Sequence, residues 1–216
     1  MITKAVRMYG TDDLRLEEFE LPPIKEDEIL VKVMSDSICM STYKLVKQGK
    51  KHKRAPQNID TNPVIIGHEC SGLIVEVGKK WQDQFQPGQK FSLQPALNYK
   101  GKLDSPGYSY EFCGGACTYC IMPNEVMELG CLLEYTGESF FEASLGEPMS
   151  CIIGGFHANY HTNKRNYDHA MGTKVDGNIL IMGGCGPMGL GAVSYGLQFE
   201  NKPKRIVVTD ISDERI

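Results

Sequence analysis

The chain has 216 residues, with 23 Lys and Arg against 27 Asp and Glu, a formal charge of −4, and 41% hydrophobic residues. That is long enough for one large or two small domains of ordinary globular composition. The mildly acidic balance offers no general attraction for nucleic acid or an anionic membrane, and no apolar run approaches the length of a membrane span. The N-terminal MITKAVRMYG lacks the apolar core of a signal peptide, and eight scattered cysteines suit a reducing compartment better than a disulfide framework; both point to the cytoplasm.

In chain order, Ala5 to Tyr9, Leu14 to Phe19 and Glu28 to Met34 read as short strands separated by turn signals at Gly10-Thr11-Asp12 and Pro22-Pro23. Val64 to Val77 and Lys90 to Gln94 continue the series. Many short strands with no early helix predict a small, strongly bent β-barrel-like domain. The pattern changes near Glu142. Met149, Ile152, Ile153, Phe156 and Tyr160 recur at near-helical spacing and predict an amphipathic helix over Glu147 to Tyr160. A polar connector over Thr162 to Gly177 leads to an apolar strand at Asn178 to Met182, a glycine-rich turn, a helix and a second strand at Arg205 to Thr209. The expected division is 1–160 and 161–216.

Chemistry concentrates in Ile65-Ile66-Gly67-His68-Glu69-Cys70-Ser71-Gly72. Imidazole and carboxylate on adjacent residues turn into a cleft together only where the backbone bends, which the glycines permit. His68 and Glu69 are thus a candidate metal pair, against the plainer reading of a strand cap and a solvated acid. Zinc requires a third protein ligand, and Cys39 is the first place to look. In the second half, Gly184, Gly186 and Gly189, with Pro187 and Met188 between the last two, fit the dinucleotide fingerprint after a strand. Asp210 ends the next strand near the spacing of the acid that binds the adenosine ribose. A carboxylate there repels a 2′-phosphate, so NAD is expected over NADP.

With Cys39-Met40-Ser41, Gly67-His68-Glu69 with Gly72 and Gly78, the turn Pro87-Gly88-Gln89, Glu147-Pro148 and the Gly184 fingerprint in this order, the chain resembles the zinc-dependent medium-chain dehydrogenases along essentially its whole length. Within them, SDSICMS, PALNYKG, PGYSY, EPMSC and FHANYHT resemble the sorbitol dehydrogenase side, and most of all L-sorbose 1-phosphate reductases. The resemblance implies α/β plus β architecture, with a GroES-like β-barrel catalytic domain followed by the start of a Rossmann doubly wound NAD-binding domain. It implies one catalytic Zn²⁺ held by Cys39, His68 and Glu147, with Glu69 as a further or exchanging ligand. Ser41 would take the alcohol proton, and NAD(H) would exchange hydride with a polyol or ketose, in a homo-oligomer.

Several features depart from that family. Thr42 and Lys44 stand where an aspartate and a relay histidine are usual, and Trp81 replaces a small or β-branched residue. Cys113, Cys117 and Cys120 are three where a structural zinc needs four, so no second zinc is expected, and Gly114 to Cys120 reads as strand. The chain also stops at Ile216, soon after the second nucleotide-domain strand, and is expected to be a C-terminally truncated piece whose own turnover is in question.

Among other residues, His157 and His161 are expected as one packed and one exposed histidine of the same helix, and His52 and His169 as solvated. Lys44, Lys51, Lys53 and Arg54 crowd the segment between Cys39 and His68; a solvated basic loop is one reading, a receptor for a sugar phosphate the other. A non-catalytic GroES-like assembly module is the alternative function, and a zinc-free quinone reductase relative a third. Neither explains Cys39, Ser41, His68, Glu69 and Glu147 together.

Overall fold

Period-two alternation builds the first hairpin. β1 (Ile2–Gly10) turns Thr3, Ala5 and Arg7 inward and exposes Ile2 and Lys4; it pairs antiparallel with β2 (Asp13–Glu20) across a turn where Asp12 takes φ 56°. A computed structural model describes residues 1–162, 165 and 168–216, in two compact units, Met1–Glu147 and Pro148–Ile216. In the first unit the chain continues through β3 (Ile29–Asp36), α1 (Met40–Gln48), β4 (Val64–Ile65), β5 (Cys70–Val77) and β6 (Lys90–Leu93). It ends with β7 (Tyr119–Met122), α2 (Asn124–Glu128), β8 (Leu132–Glu134) and α3 (Phe140–Ser144).

Five strands form one antiparallel sheet in the order β7-β3-β5-β6-β8, and β2-β1-β4 form a second. Between them lies a core of Ile29, Val31, Ile65, Ile74, Phe91, Leu93 and Met122, none more than 2% exposed. Burial of each such side chain stabilises the fold by about 1.5–3 kcal/mol. Trp81 joins this core and donates its indole N–H to the Asp27 carbonyl, away from the metal candidates.

The sequence pattern needs three corrections here. An early helix does exist: α1 is anchored by the fully buried Leu45, but its other positions are mostly polar, so the apolar face was too narrow to read. The expected strand Val64 to Val77 is interrupted at residues 66–69, because Gly67 takes φ 88° and leaves the extended region. Only Tyr119 onward of the stretch from Gly114 belongs to a regular strand. Gly114 instead crosses the Ile65 carbonyl so closely that a Cβ would lie 2.3 Å from it.

The second unit carries α4 (Gly146–Ala158, which begins at the end of the first), β9 (Tyr160–Thr162), β10 (His169–Met171), β11 (Asn178–Met182), α5 (Pro187–Gln198) and β12 (Arg205–Thr209). β11 and β12 pair in parallel with Asn178 opposite Arg205 and Met182 opposite Thr209, the start of a doubly wound sheet with α5 as the crossover. Ile152 and Phe156 of α4 pack against Phe199, which assigns most of that helix to the second unit rather than to the first, where the sequence division had put it. The expected connector over 162–177 includes positions 163, 164, 166 and 167, outside the described residues; its described part contributes β10, paired with β9. Among the described residues no helix is long and apolar enough to cross a membrane.

Candidate active site

Two bends bring the chemistry together. At the end of β3 the chain stays extended through Cys39, which caps α1: its Sγ accepts the Ser41 N–H at 3.4 Å. Asp36 is in register with Cys70 at the start of β5, so the Cys39 turn lies beside the break between β4 and β5. In that break Gly67 must be glycine, because a Cβ would stand 2.2 Å from Asp36 Oδ2 and 2.7 Å from the Ala116 nitrogen. The bend turns His68 and Glu69 inward, each only 4% exposed. The ligand atoms of Cys39, His68 and Glu69 all lie within 4.8 Å of one another.

Each member of this trio is held by neighbours that the sequence pattern did not single out. Asp36 Oδ1 accepts the Glu69 N–H at 3.0 Å, the Ser37 hydroxyl donates to Glu69 Oε2, and the Ser37 N–H donates to the Glu69 carbonyl at 3.1 Å. Thr42 Oγ1 lies 3.3 Å from His68 Nδ1, so this departure from the family pattern is the residue that orients the imidazole. Tyr108 Oη lies 3.2 Å from His68 Nε2, with the two rings 4.8 Å apart. Asp36 and Ser37 read in the sequence as ordinary polar residues at a strand end, and Tyr108 lies in a loop without periodicity, so none of the three gave a signal of its own.

Burial sets the electrostatics. It lowers the His68 pKa, with Glu69 opposing and Arg54 reinforcing, so the imidazole is neutral near pH 7 and keeps a lone pair for a metal. Burial raises the Cys39 thiol, opposed by the Ser41 hydrogen bonds, and it pushes Tyr108 up to about 12. Asp36 is pushed up to about 7, chiefly by desolvation, although the Glu69 N–H stabilises its charge.

That raised pKa has a measurable sign. An aspartate at 3.8 unfolded and about 7 folded takes up a proton on folding between those values, so its contribution to stability falls as pH rises from about 4 to about 7. In metal-free protein, Asp36→Asn keeps an acceptor for Glu69 without the charge. Melting curves should show the variant gaining on the wild type between pH 5 and pH 7, and a gap constant with pH would contradict the assignment.

Other expected site residues are placed as follows. Ser41 follows Cys39 in the first turn of α1, and its side chain is close enough to the Cys39 thiol and the Tyr108 phenol to lower both their pKa values against the effect of burial. Glu147 opens α4 outside the trio, near enough to Tyr108 for its charge to raise the phenol pKa. Lys44, Lys51 and Lys53 are exposed, whereas Arg54 is half-buried with its guanidinium 5.5 Å from the Tyr108 ring centre. His52 is a correction: it is not simply solvated but stacks on Tyr108 at 5.6 Å, since the chain folds back at residues 52–55 over that ring. His157 and His161 do not share a helix, because α4 ends at Ala158 and His161 lies in β9; His157 Nε2 meets Tyr195 Oη at 3.2 Å. The buried Cys113 thiol donates to Met122 Sδ at 3.6 Å, and the Cys117 thiol donates to the Gly114 carbonyl at 3.2 Å.

In the second unit the three glycines have three distinct surroundings. A Cβ on Gly184 would meet Ile181 and Val208 at 2.7 Å, and one on Gly189 would stand 2.1 Å from the Gly184 carbonyl, so strand and helix approach through both. Gly186, which caps α5 ahead of Pro187, has nothing within 4 Å and leaves open space at the helix N-terminus beside Met188. The Asp210 carboxylate accepts N–H groups from Cys185 at 3.0 Å, Ile211 at 2.8 Å and Ser212 at 3.1 Å, which lower its pKa.

A bent β unit with a thiol–imidazole–carboxylate cluster, joined to a glycine-rich parallel βαβ unit, defines a two-part dehydrogenase-like architecture. The chain belongs to the family of the alcohol dehydrogenase GroES-like domain, whose model matches residues 25–166. It is 49% identical over 214 residues to L-sorbose 1-phosphate reductase of Klebsiella pneumoniae, covering 99% of this chain and 52% of that protein. It is 51% identical over 214 residues to mannitol-1-phosphate 5-dehydrogenase of Aliivibrio fischeri, covering 99% of this chain and 50% of that one. Among solved structures, 2R,3R-butanediol dehydrogenase from Bacillus subtilis shares the fold with a TM-score of 0.74 at 24% identity, over 99% of this chain and 59% of that one. The chain therefore spans about half the length of the curated relatives it matches.

Proposed function

We propose that the chain is the metal-holding and first nucleotide-binding part of an oxidoreductase that transfers hydride between NAD(H) and a polyol or ketose, with a phosphorylated sugar such as L-sorbose 1-phosphate as substrate. The observation that carries this reading is the convergence of the ligand atoms of Cys39, His68 and Glu69 within 4.8 Å, His68 and Glu69 being buried and Cys39 partly exposed. Thiolate, imidazole and carboxylate are zinc donors, and the separation suits closure around one ion with small side-chain shifts. Glu147 adds a donor from the start of α4. Bound zinc would polarise the C–O bond and lower the pKa of the alcohol.

The chain's own residues supply the rest. Thr42 orients the His68 ring through Nδ1 and Tyr108 packs against it, leaving Nε2 for the metal, while Asp36 and Ser37 fix Glu69. Ser41 Oγ takes the proton of the substrate hydroxyl, beside the Tyr108 phenol whose pKa it lowers. Lys44, whose charge acts on His52 together with those of Lys53 and Arg54, neutralises anionic substrate rather than replacing the absent relay histidine. The open side of Gly186 admits the pyrophosphate, and Asp210, ionised and fixed beside that loop, accepts from the ribose and disfavours a 2′-phosphate. An assembly module would need none of this constellation.

Metal analysis of the purified protein should give about one zinc per chain. The full gene product should oxidise or reduce a polyol–ketose pair with NAD(H) used in preference to NADP(H). Protein that binds no zinc when zinc is supplied, or that transfers no hydride to any such pair, would overturn the reading.

A further inference from the structure

Six basic residues lie between Lys44 and Arg54, and the structure sorts them. Lys47 is paired with Asp12 at 2.9 Å and Lys50 with Asp60 at 2.8 Å. Among the described residues no ion pair engages Lys44, Lys53 or Arg54, yet all three lie close enough to His52 for their charges to depress its pKa. Lys51, like Lys44 and Lys53, is exposed. Like charges near one half-buried ring and without a counterion repel one another, and an anion among them relieves that repulsion.

The cluster is also aimed. Arg54 is held by Nη1 donating to the Leu103 carbonyl at 3.3 Å and by the Tyr108 ring below its guanidinium. The same ring stacks on His52 and lies 4.8 Å from the His68 ring. One aromatic side chain therefore contacts both Arg54 and a member of the Cys39–His68–Glu69 cluster. Guanidinium and ammonium groups match the oxygens of a phosphate dianion. His52 accepts the Arg54 N–H through Nδ1, and as a neutral imidazole it then carries its hydrogen on Nε2, a further donor.

We propose that Arg54, with Lys44 and Lys53, forms a subsite for the phosphomonoester of the sugar, one aromatic ring away from the metal ligands. The inference rests on the polyol–ketose reading above.

Equilibrium titrations of the zinc-loaded protein with L-sorbose 1-phosphate, L-sorbose and inorganic phosphate test it. The ester should bind at least about tenfold more tightly than the free sugar, since a hydrogen bond to a charged group accounts for that much. Arg54→Gln should remove most of the difference while the protein stays folded and keeps its zinc content and L-sorbose affinity, and Arg54→Lys should restore part of it. Lys47→Gln, the same charge loss within an existing pair, should leave the preference intact. Inorganic phosphate should compete with the ester in the wild type and lose that competition in Arg54→Gln; competition that survives the change places free phosphate elsewhere and overturns the subsite. So does an ester preference that is absent from the wild type, survives in Arg54→Gln, or falls equally in Lys47→Gln. Protein that lacks zinc and transfers no hydride fails at the underlying reading instead, whereas protein with both and no ester preference fails only here.

Discussion

Cys39→Ser should abolish stoichiometric zinc while leaving the metal-free fold intact. Cys39 has two functions that this substitution separates. As the residue before α1 it accepts the Ser41 N–H, and serine is a better helix cap than cysteine. As a metal donor it supplies the only thiol of the cluster, and a neutral hydroxyl does not replace a thiolate on zinc. Loss of a group that merely supports a ligand costs about 10–100-fold in metal affinity, so removal of the ligand itself should cost at least about 100-fold. After dialysis against a weak chelator the wild type should retain about one zinc per chain and the variant almost none. Hydride transfer by the full gene product should disappear with it. The melting temperature of the apo forms should agree, while the zinc-loaded wild type should melt higher by the binding energy its native state alone receives. Stoichiometric zinc in the variant would show that Cys39 is not a ligand.

Much of this site was legible because its residue types are rare together. His68-Glu69 behind a glycine, Cys39 upstream and a glycine-rich turn after an apolar strand each need a specific backbone to be useful, and the folded chain provides it. The parallel strands Asn178–Met182 and Arg205–Thr209 were also legible to the residue, since each is a short apolar run bounded by turn-forming residues. What escaped was tertiary in origin. α1 has a single fully buried anchor, so the surrounding lysines concealed its period. Tyr108 reaches His68 across 40 positions, and its loop comes there because Gly107 passes under the Gly67 carbonyl, where a Cβ would be 2.1 Å away. Asp36 and Ser37 looked like ordinary polar residues at a strand end. Only the pairing of β3 with β5 reveals that they face the backbone and carboxylate of Glu69.

Gly67→Ala should be among the most damaging single changes near the site. Two independent penalties fall on it. The backbone at φ 88° is one that an alanine adopts only under strain, at about 1–3 kcal/mol. The added methyl would also stand 2.2 Å from Asp36 Oδ2 and 2.7 Å from the Ala116 nitrogen. The second of these atoms is backbone and cannot swing aside, so overpacking adds about 1–3 kcal/mol more. Together they predict a loss of about 3 kcal/mol or more, which for a unit of this size lowers the melting temperature by roughly 10 °C. Gly10→Ala is the control: its φ is ordinary and nothing lies within 4 Å of the new methyl, so its effect should stay within about 0.5 kcal/mol. Relief of the clash at Gly67 can come only from moving Asp36 or the 114–116 segment, and Asp36 holds the Glu69 N–H. The Gly67→Ala protein that does fold should therefore bind zinc more weakly as well as melt earlier. If its melting temperature matched that of Gly10→Ala and its zinc affinity that of the wild type, the bend at Gly67 would not be what turns His68 and Glu69 into the pocket.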